Sequence, residues 1–196
     1  MRLFSRKSSG TSTSSPSQPE PPGNVPVRPK IGLAIGSGVA RGWGHIGVLK
    51  ALHNLGIKPD VVAGTSVGAL VGAAYLISRL DVLEEWTRDL TKMRIVRLLD
   101  FKMRSGGLVG GQKLVNEMLE HFGDIRIEEL PIPFVAVTTD LLTGHEVWLR
   151  KGSLVEAIRA SFSIPGIFKP MQIDGRWLVD GALTNQIGRA SCRERV

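Results

Sequence analysis

Short apolar runs alternate with longer stretches of mixed polarity along this chain. The runs at 31–36, 60–64, 133–139, 146–150, 171–174 and 176–179 predict strands. The stretches at 42–55, 66–79, 81–91, 110–121 and 153–162 predict helices. Strand, helix and strand across 31–64 make a βαβ unit, whose two strands run parallel. Ile132 to Val137 is apolar apart from Pro133, as a strand covered on both faces should be. The expectation is an α/β fold: a three-layer sandwich with a mainly parallel central sheet and the site at the strand C-termini. No internal repeats are visible.

The turns between these elements carry the candidate chemistry. Gly64-Thr65-Ser66-Val67-Gly68 follows the apolar run Val61-Val62-Ala63 and opens a helix of small residues. A strand, a G-x-S-x-G turn and a helix are the context of a nucleophile elbow. The helix N-terminus there favours developing negative charge. The competing use of Ser66 is to cap the helix. Upstream, Ile31 to Ile35 runs into Gly36-Ser37-Gly38-Val39-Ala40-Arg41-Gly42 and then a helix. Such a glycine-rich turn exposes unpaired N–H groups that can bind a phosphate or an oxyanion. Downstream, Leu178-Val179-Asp180-Gly181-Ala182 is an apolar strand ending in a carboxylate and a glycine. Serine, amide donors and carboxylate are the parts of acyl transfer. By itself, Asp180 reads first as a turn aspartate after a strand.

Four segments, in this order, resemble the patatin-like phospholipases: IGSGVARGWGHIGVLKAL (35–52), AGTSVG (63–68), ASFSIPGIFKP (160–170) and VDGALTN (179–185). The resemblance covers Lys30 to about Gln186, and the glycine loop is most similar to a bacterial subgroup with Gly-Ser-Gly in place of three or four glycines. The resemblance implies that Ser66 is the nucleophile and Asp180 its partner in a Ser–Asp dyad. It implies an oxyanion hole from the N–H groups of Gly38 and Val39. No Walker motif or metal-ligand cluster is visible, so no cofactor and no metal are expected. The resemblance supplies the substrate class, a lipid ester cleaved by a phospholipase A or lysophospholipase type of enzyme. Ala182 stands where many relatives have a second glycine, a departure that leaves the carboxylate in place. Ser161, Ser163 and Pro165 resemble the family's structural turn near the site and are assigned no chemistry.

Rival chemistries have weaker support. A Ser-His-Asp triad needs a histidine, and His45, His53, His121 and His145 all precede Asp180, whereas α/β-hydrolases place histidine last. Nucleotide binding is disfavoured because Gly36-x-Gly38-x-x-x-Gly42 is one residue longer than G-x-G-x-x-G and no acidic residue ends the second strand. The alternative to an enzyme is a non-catalytic regulatory or nucleotide-binding protein on an α/β fold. Arg41 ends the glycine loop, either to anchor it through backbone carbonyls, the favoured reading, or to meet a lipid phosphate. The basic and apolar stretch 92–104 suits a membrane interface, a lid edge or an ordinary packed helix.

Charge is concentrated at the ends. Residues 1–30 carry Arg2, Arg6, Lys7, Arg28 and Lys30 against Glu20, a net +4, and residues 187–196 a net +2, so only +1 of the total +7 falls on 31–186. The high pI of about 10.0 is therefore an end effect and points to no nucleic-acid partner. Residues 1–29 are rich in Ser, Thr and Pro and too poor in apolar residues to order, so a disordered tail is expected. Its basic charges either touch anionic lipid, a peripheral membrane contact, or are simply solvated. No apolar stretch of ~7–15 residues follows the basic start, and none approaches the ~18–20 of a membrane span, so a cytoplasmic location is expected. Residues 187–196, IGRASCRERV, are identified as the in-frame translation of a common sequencing adapter. The expectation is a non-native tail on an incomplete hydrolase domain, 30–186, truncated at its C-terminal side. Cys192, the one cysteine, lies in that tail, leaving no disulfide or thiol chemistry to argue.

Overall fold

The computed structural model describes residues 29–89 and 112–185. The Ser/Pro-rich tail up to residue 28, the stretch 92–104 and the segment from 186 onward lie outside the described residues. Among the described residues six strands form one sheet: β1 (Gly32–Ile35), β2 (Val61–Thr65), β3 (Phe134–Asp140), β4 (Glu146–Leu149), β5 (Met171–Ile173) and β6 (Arg176–Asp180). The described helices are α1 (Gly44–Asn54), α2 (Val67–Leu76), α3 (Leu80–Arg88), α4 (Gln112–Phe122) and α5 (Leu154–Ser161). Each falls within a residue or a few of the stretch that predicted it. The first starts later than expected, because Val39–Trp43 forms a 3-10 turn before α1 begins at Gly44.

The local reasons are readable. α5 is capped by Ser153, whose hydroxyl accepts the Glu156 N–H at 3.4 Å. α2 has no polar face; nine of its ten residues are buried, because it runs directly beneath the sheet. Its small residues allow that approach: a Cβ on Gly72 would stand 3.1 Å from the Val62 side chain. All seven residues of β3 are buried, as its apolar run predicts.

β1, β2 and β3 are parallel and follow one another in a single direction across the sheet. Right-handed crossovers then place the intervening helices on one face. The side chains show it by strict alternation. Ile35, Val62, Phe134, Ala136 and Leu178 join a core to which all five helices contribute, including Leu49, Leu70, Leu83, Phe122 and Ile158. Ala63, Val135 and Val137 point to the other face, with Ala34 and Trp148 against them, and are also buried.

The remaining strands are antiparallel to their neighbours, and β3 organises them. Ala136 and Val137 pair with β2 on one edge and β4 on the other. Thr138 and Thr139 pair with β4 and with β6. A residue has only two edges, so β2 and β6 share one edge of β3, end to end. β2 runs with β3 and β6 runs against it. Their C-termini therefore meet, Thr65 opposite Val137 and Asp180 opposite Thr138.

Candidate active site

Ser66 follows the last residue of β2 and precedes the first of α2, with φ 56° and ψ −124°. A positive φ in a non-glycine residue is strained and persists only where its surroundings over-determine it. The flanking glycines provide that constraint. A Cβ on Gly64 would lie 2.5 Å from the Ala69 Cα, and one on Gly68 would lie 2.2 Å from the Ile35 carbonyl oxygen. Any side chain at either position would push α2 off β1 and β2. Ser66 Oγ makes no helix-capping bond. It donates instead to Asp180 Oδ2 at 2.7 Å. Ser66 is 1% exposed and Asp180 4%.

Asp180 uses its two oxygens separately. Oδ1 accepts the Ala182 N–H at 2.8 Å, the turn-aspartate role, and Oδ2 faces Ser66. The contribution of Ala182 to Asp180 is its backbone N–H, a donor that glycine also carries. Gly181 has no such latitude: a Cβ there would lie 2.2 Å from the Val137 carbonyl oxygen. Burial pushes the Asp180 carboxyl above its ordinary pKa, opposed by the Ala182 N–H and the Ser66 hydroxyl. A carboxylate raised in this way is a better proton acceptor.

The segment after Asp180 is tied back to the sheet. Thr139 Oγ1 donates to the Asp180 carbonyl at 3.0 Å and lies 2.9 Å from Thr184 Oγ1. Thr65 Oγ1 donates to the Asn185 carbonyl at 3.0 Å, and Asn185 Nδ2 donates to both Glu146 carboxylate oxygens at 3.1 and 2.9 Å.

The glycine loop lies against the elbow. Gly38 caps the 3-10 turn, so the N–H groups of Gly38 and Val39 stand at its start, where such groups lack partners within the turn. A Cβ on Gly42 would stand 2.8 Å from the Val67 side chain, next in sequence to Ser66. His45 Nε2–H donates to the Gly36 carbonyl at 3.1 Å, which fixes the loop from α1. Arg41 is exposed, its backbone N–H donates to the Gly38 carbonyl at 3.0 Å and its carbonyl accepts the Gly44 N–H, and among the described residues its side chain makes no hydrogen bond to the loop. The anchoring falls to His45 instead. Among the described residues no histidine hydrogen-bonds Ser66 or Asp180; serine and carboxylate meet directly.

Ser161 has a part that sequence reasoning missed. Its hydroxyl accepts the Ser66 N–H at 2.8 Å and donates to the Val137 carbonyl at 2.6 Å. A serine ending an amphipathic helix carries no local signal of such a contact.

A mixed sheet with helices packed on it, a serine on a strand-to-helix elbow and a buried carboxylate beneath its hydroxyl define an α/β protein with a Ser–Asp pair at the strand C-termini. The family model described as patatin-like phospholipase matches residues 33–190, and the chain belongs to that family. It is 43% identical over 162 residues to NTE family proteins of Mycobacterium tuberculosis and Mycobacterium bovis, covering 83% of this chain and 45% of theirs. It is 36% identical over 164 residues to the neuropathy target esterase of Drosophila melanogaster, covering 80% of this chain and 11% of that protein. The chain thus spans less than half the length of these relatives. Among solved structures, VipD from Legionella pneumophila aligns with a TM-score of 0.47 and 14% identity, over 80% of this chain and 46% of that one.

Proposed function

We propose that the protein is a serine acyl hydrolase of lipid esters, of the phospholipase A or lysophospholipase type. The observation that carries this reading is the buried 2.7 Å hydrogen bond from Ser66 Oγ to Asp180 Oδ2, at an elbow with positive φ. Ser66 Oγ attacks the ester carbonyl carbon and its proton passes to Asp180 Oδ2. The tetrahedral oxyanion is received by the N–H groups of Gly38 and Val39, each donor of this kind contributing ~3–4 kcal/mol. Collapse expels the alcohol, which takes the proton from Asp180. Water then attacks the acyl-enzyme, gives its proton to Asp180, and Ser66 recovers it as the carboxylic acid leaves. The lipid class rests on family membership and on the relatives' names, which include an esterase.

The test uses the purified protein with a fluorophosphonate probe and a panel of phospholipid, lysophospholipid and short-chain esters. Labelling at Ser66 and turnover of a lipid ester are expected, both lost in Ser66→Ala with an unchanged circular dichroism spectrum. Hydrolysis that survives Ser66→Ala would remove that residue from the chemistry. Stabilisation by a nucleotide without any labelling would favour the non-catalytic alternative.

A further inference from the structure

The rungs of the β2–β3 ladder have a definite phase. Val62 pairs with Phe134 and donates its N–H to the Pro133 carbonyl at 2.9 Å. A parallel ladder repeats every second residue, so later rungs fall from Gly64 to Val135 and from Ser66 to Val137. The last rung is not closed directly. Ser66 N–H donates to Ser161 Oγ, whose own hydroxyl donates to the Val137 carbonyl. A side-chain hydroxyl is inserted into the ladder at the point where β2 leaves the sheet for the elbow. Ser161 is wholly buried. It satisfies an N–H that would otherwise turn inward unpaired as Ser66 adopts its positive φ.

The same turn reaches the other member of the pair. The backbone carbonyl of Ser163 accepts the Asp180 N–H at 2.9 Å. The end of α5 and the two residues after it thus hold the main-chain amides of both Ser66 and Asp180, which come from strands meeting end to end on β3.

We propose that Ser161 is a positioning residue: its hydroxyl fixes the backbone of Ser66, and the 161–163 turn sets the spacing between Ser66 and Asp180. This inference rests on the hydrolase reading above. It has no need of Ser161 touching substrate, and it predicts a loss confined to the chemical step.

The test compares Ser161→Ala and Ser161→Cys with Ser153→Ala, which removes the cap at the opposite end of the same helix. Both Ser161 variants should lose about ten- to a hundredfold in kcat and in the rate of fluorophosphonate labelling, with KM within about twofold, since small misplacements cost that much. Ser153→Ala should lower the melting temperature and leave kcat unchanged. If Ser161→Ala does not fold, Ser161→Cys, which keeps a side chain of similar shape but bonds weakly, carries the comparison. Wild-type kcat in a folded Ser161 variant, or a loss no greater than that of Ser153→Ala, overturns the inference. A wild-type protein that neither hydrolyses esters nor labels at Ser66 overturns the hydrolase reading itself, and the inference with it.

Discussion

Asp180 shows how much a single residue's surroundings decide. Its carboxyl is raised above the ordinary 3.8 by burial, so the folded state holds the proton more tightly than the unfolded chain does. Folding stability linked to this group is therefore greatest below pH 3.8 and declines as pH rises towards the raised value. Above that value the buried charge costs stability. Asp180→Asn is accordingly expected to abolish ester hydrolysis yet to melt no lower than wild type at pH 7, a comparison that scanning calorimetry makes directly. A melting temperature clearly below wild type at pH 7 would contradict the linkage. The acid limb of kcat/KM should also lie above 3.8, since the base must be ionised to act. A pH–rate profile with its limb at or below that value would remove Asp180 as the base.

At the scale of elements, periodicity located the strands and helices, and the glycines then showed which contacts they serve. Gly47 sits on the exposed side of α1, where an added methyl group would meet nothing within 4 Å. Gly47→Ala should stabilise the protein by ~0.5–1 kcal/mol through helix propensity alone. Gly68→Ala meets the Ile35 and Gly36 carbonyl oxygens at 2.2 and 2.5 Å. It should cost ~1–3 kcal/mol or more by overpacking, and should reduce labelling of Ser66 because the elbow must open. Urea melts of the two variants should move in opposite directions; equal effects would mean that α2 does not press on β1 as described. The sequence marks both positions only as glycine. Which one bears on a neighbour depends on chain brought back from elsewhere. The late start of α1 falls at such a contact: Gly42, within the 3-10 turn that precedes the helix, lies against Val67.

At the scale of the whole molecule, the described helices and one face of the sheet share a single core, while the Ser–Asp pair lies at the seam where β2 and β6 meet. Stability and site are therefore separable. Leu49 on α1 is 1% exposed, in the shared core. Leu49→Ala should cost ~2–5 kcal/mol from lost burial and the cavity left behind. Below its lowered melting temperature it should still label at Ser66 at a rate close to wild type. A large loss of labelling in the folded variant would mean that the core on α1 controls the site more tightly than the packing indicates.

The sequence by itself determined the alternation of strands and helices, the family and the elbow, because hydrophobic period and glycine spacing are local properties of the chain. It also singled out Ser66 through the elbow, and Asp180 through resemblance, since Asp180 alone reads as a turn residue. Tertiary structure decided the rest. Strand order placed the described helices on one face. The end-to-end meeting of β2 and β6 brought together two side chains 114 residues apart. Burial at that seam raised the carboxyl, and a serine from the end of α5 entered the ladder between β2 and β3. Each of these depends on which distant segments share an edge, and a one-dimensional pattern carries no record of that.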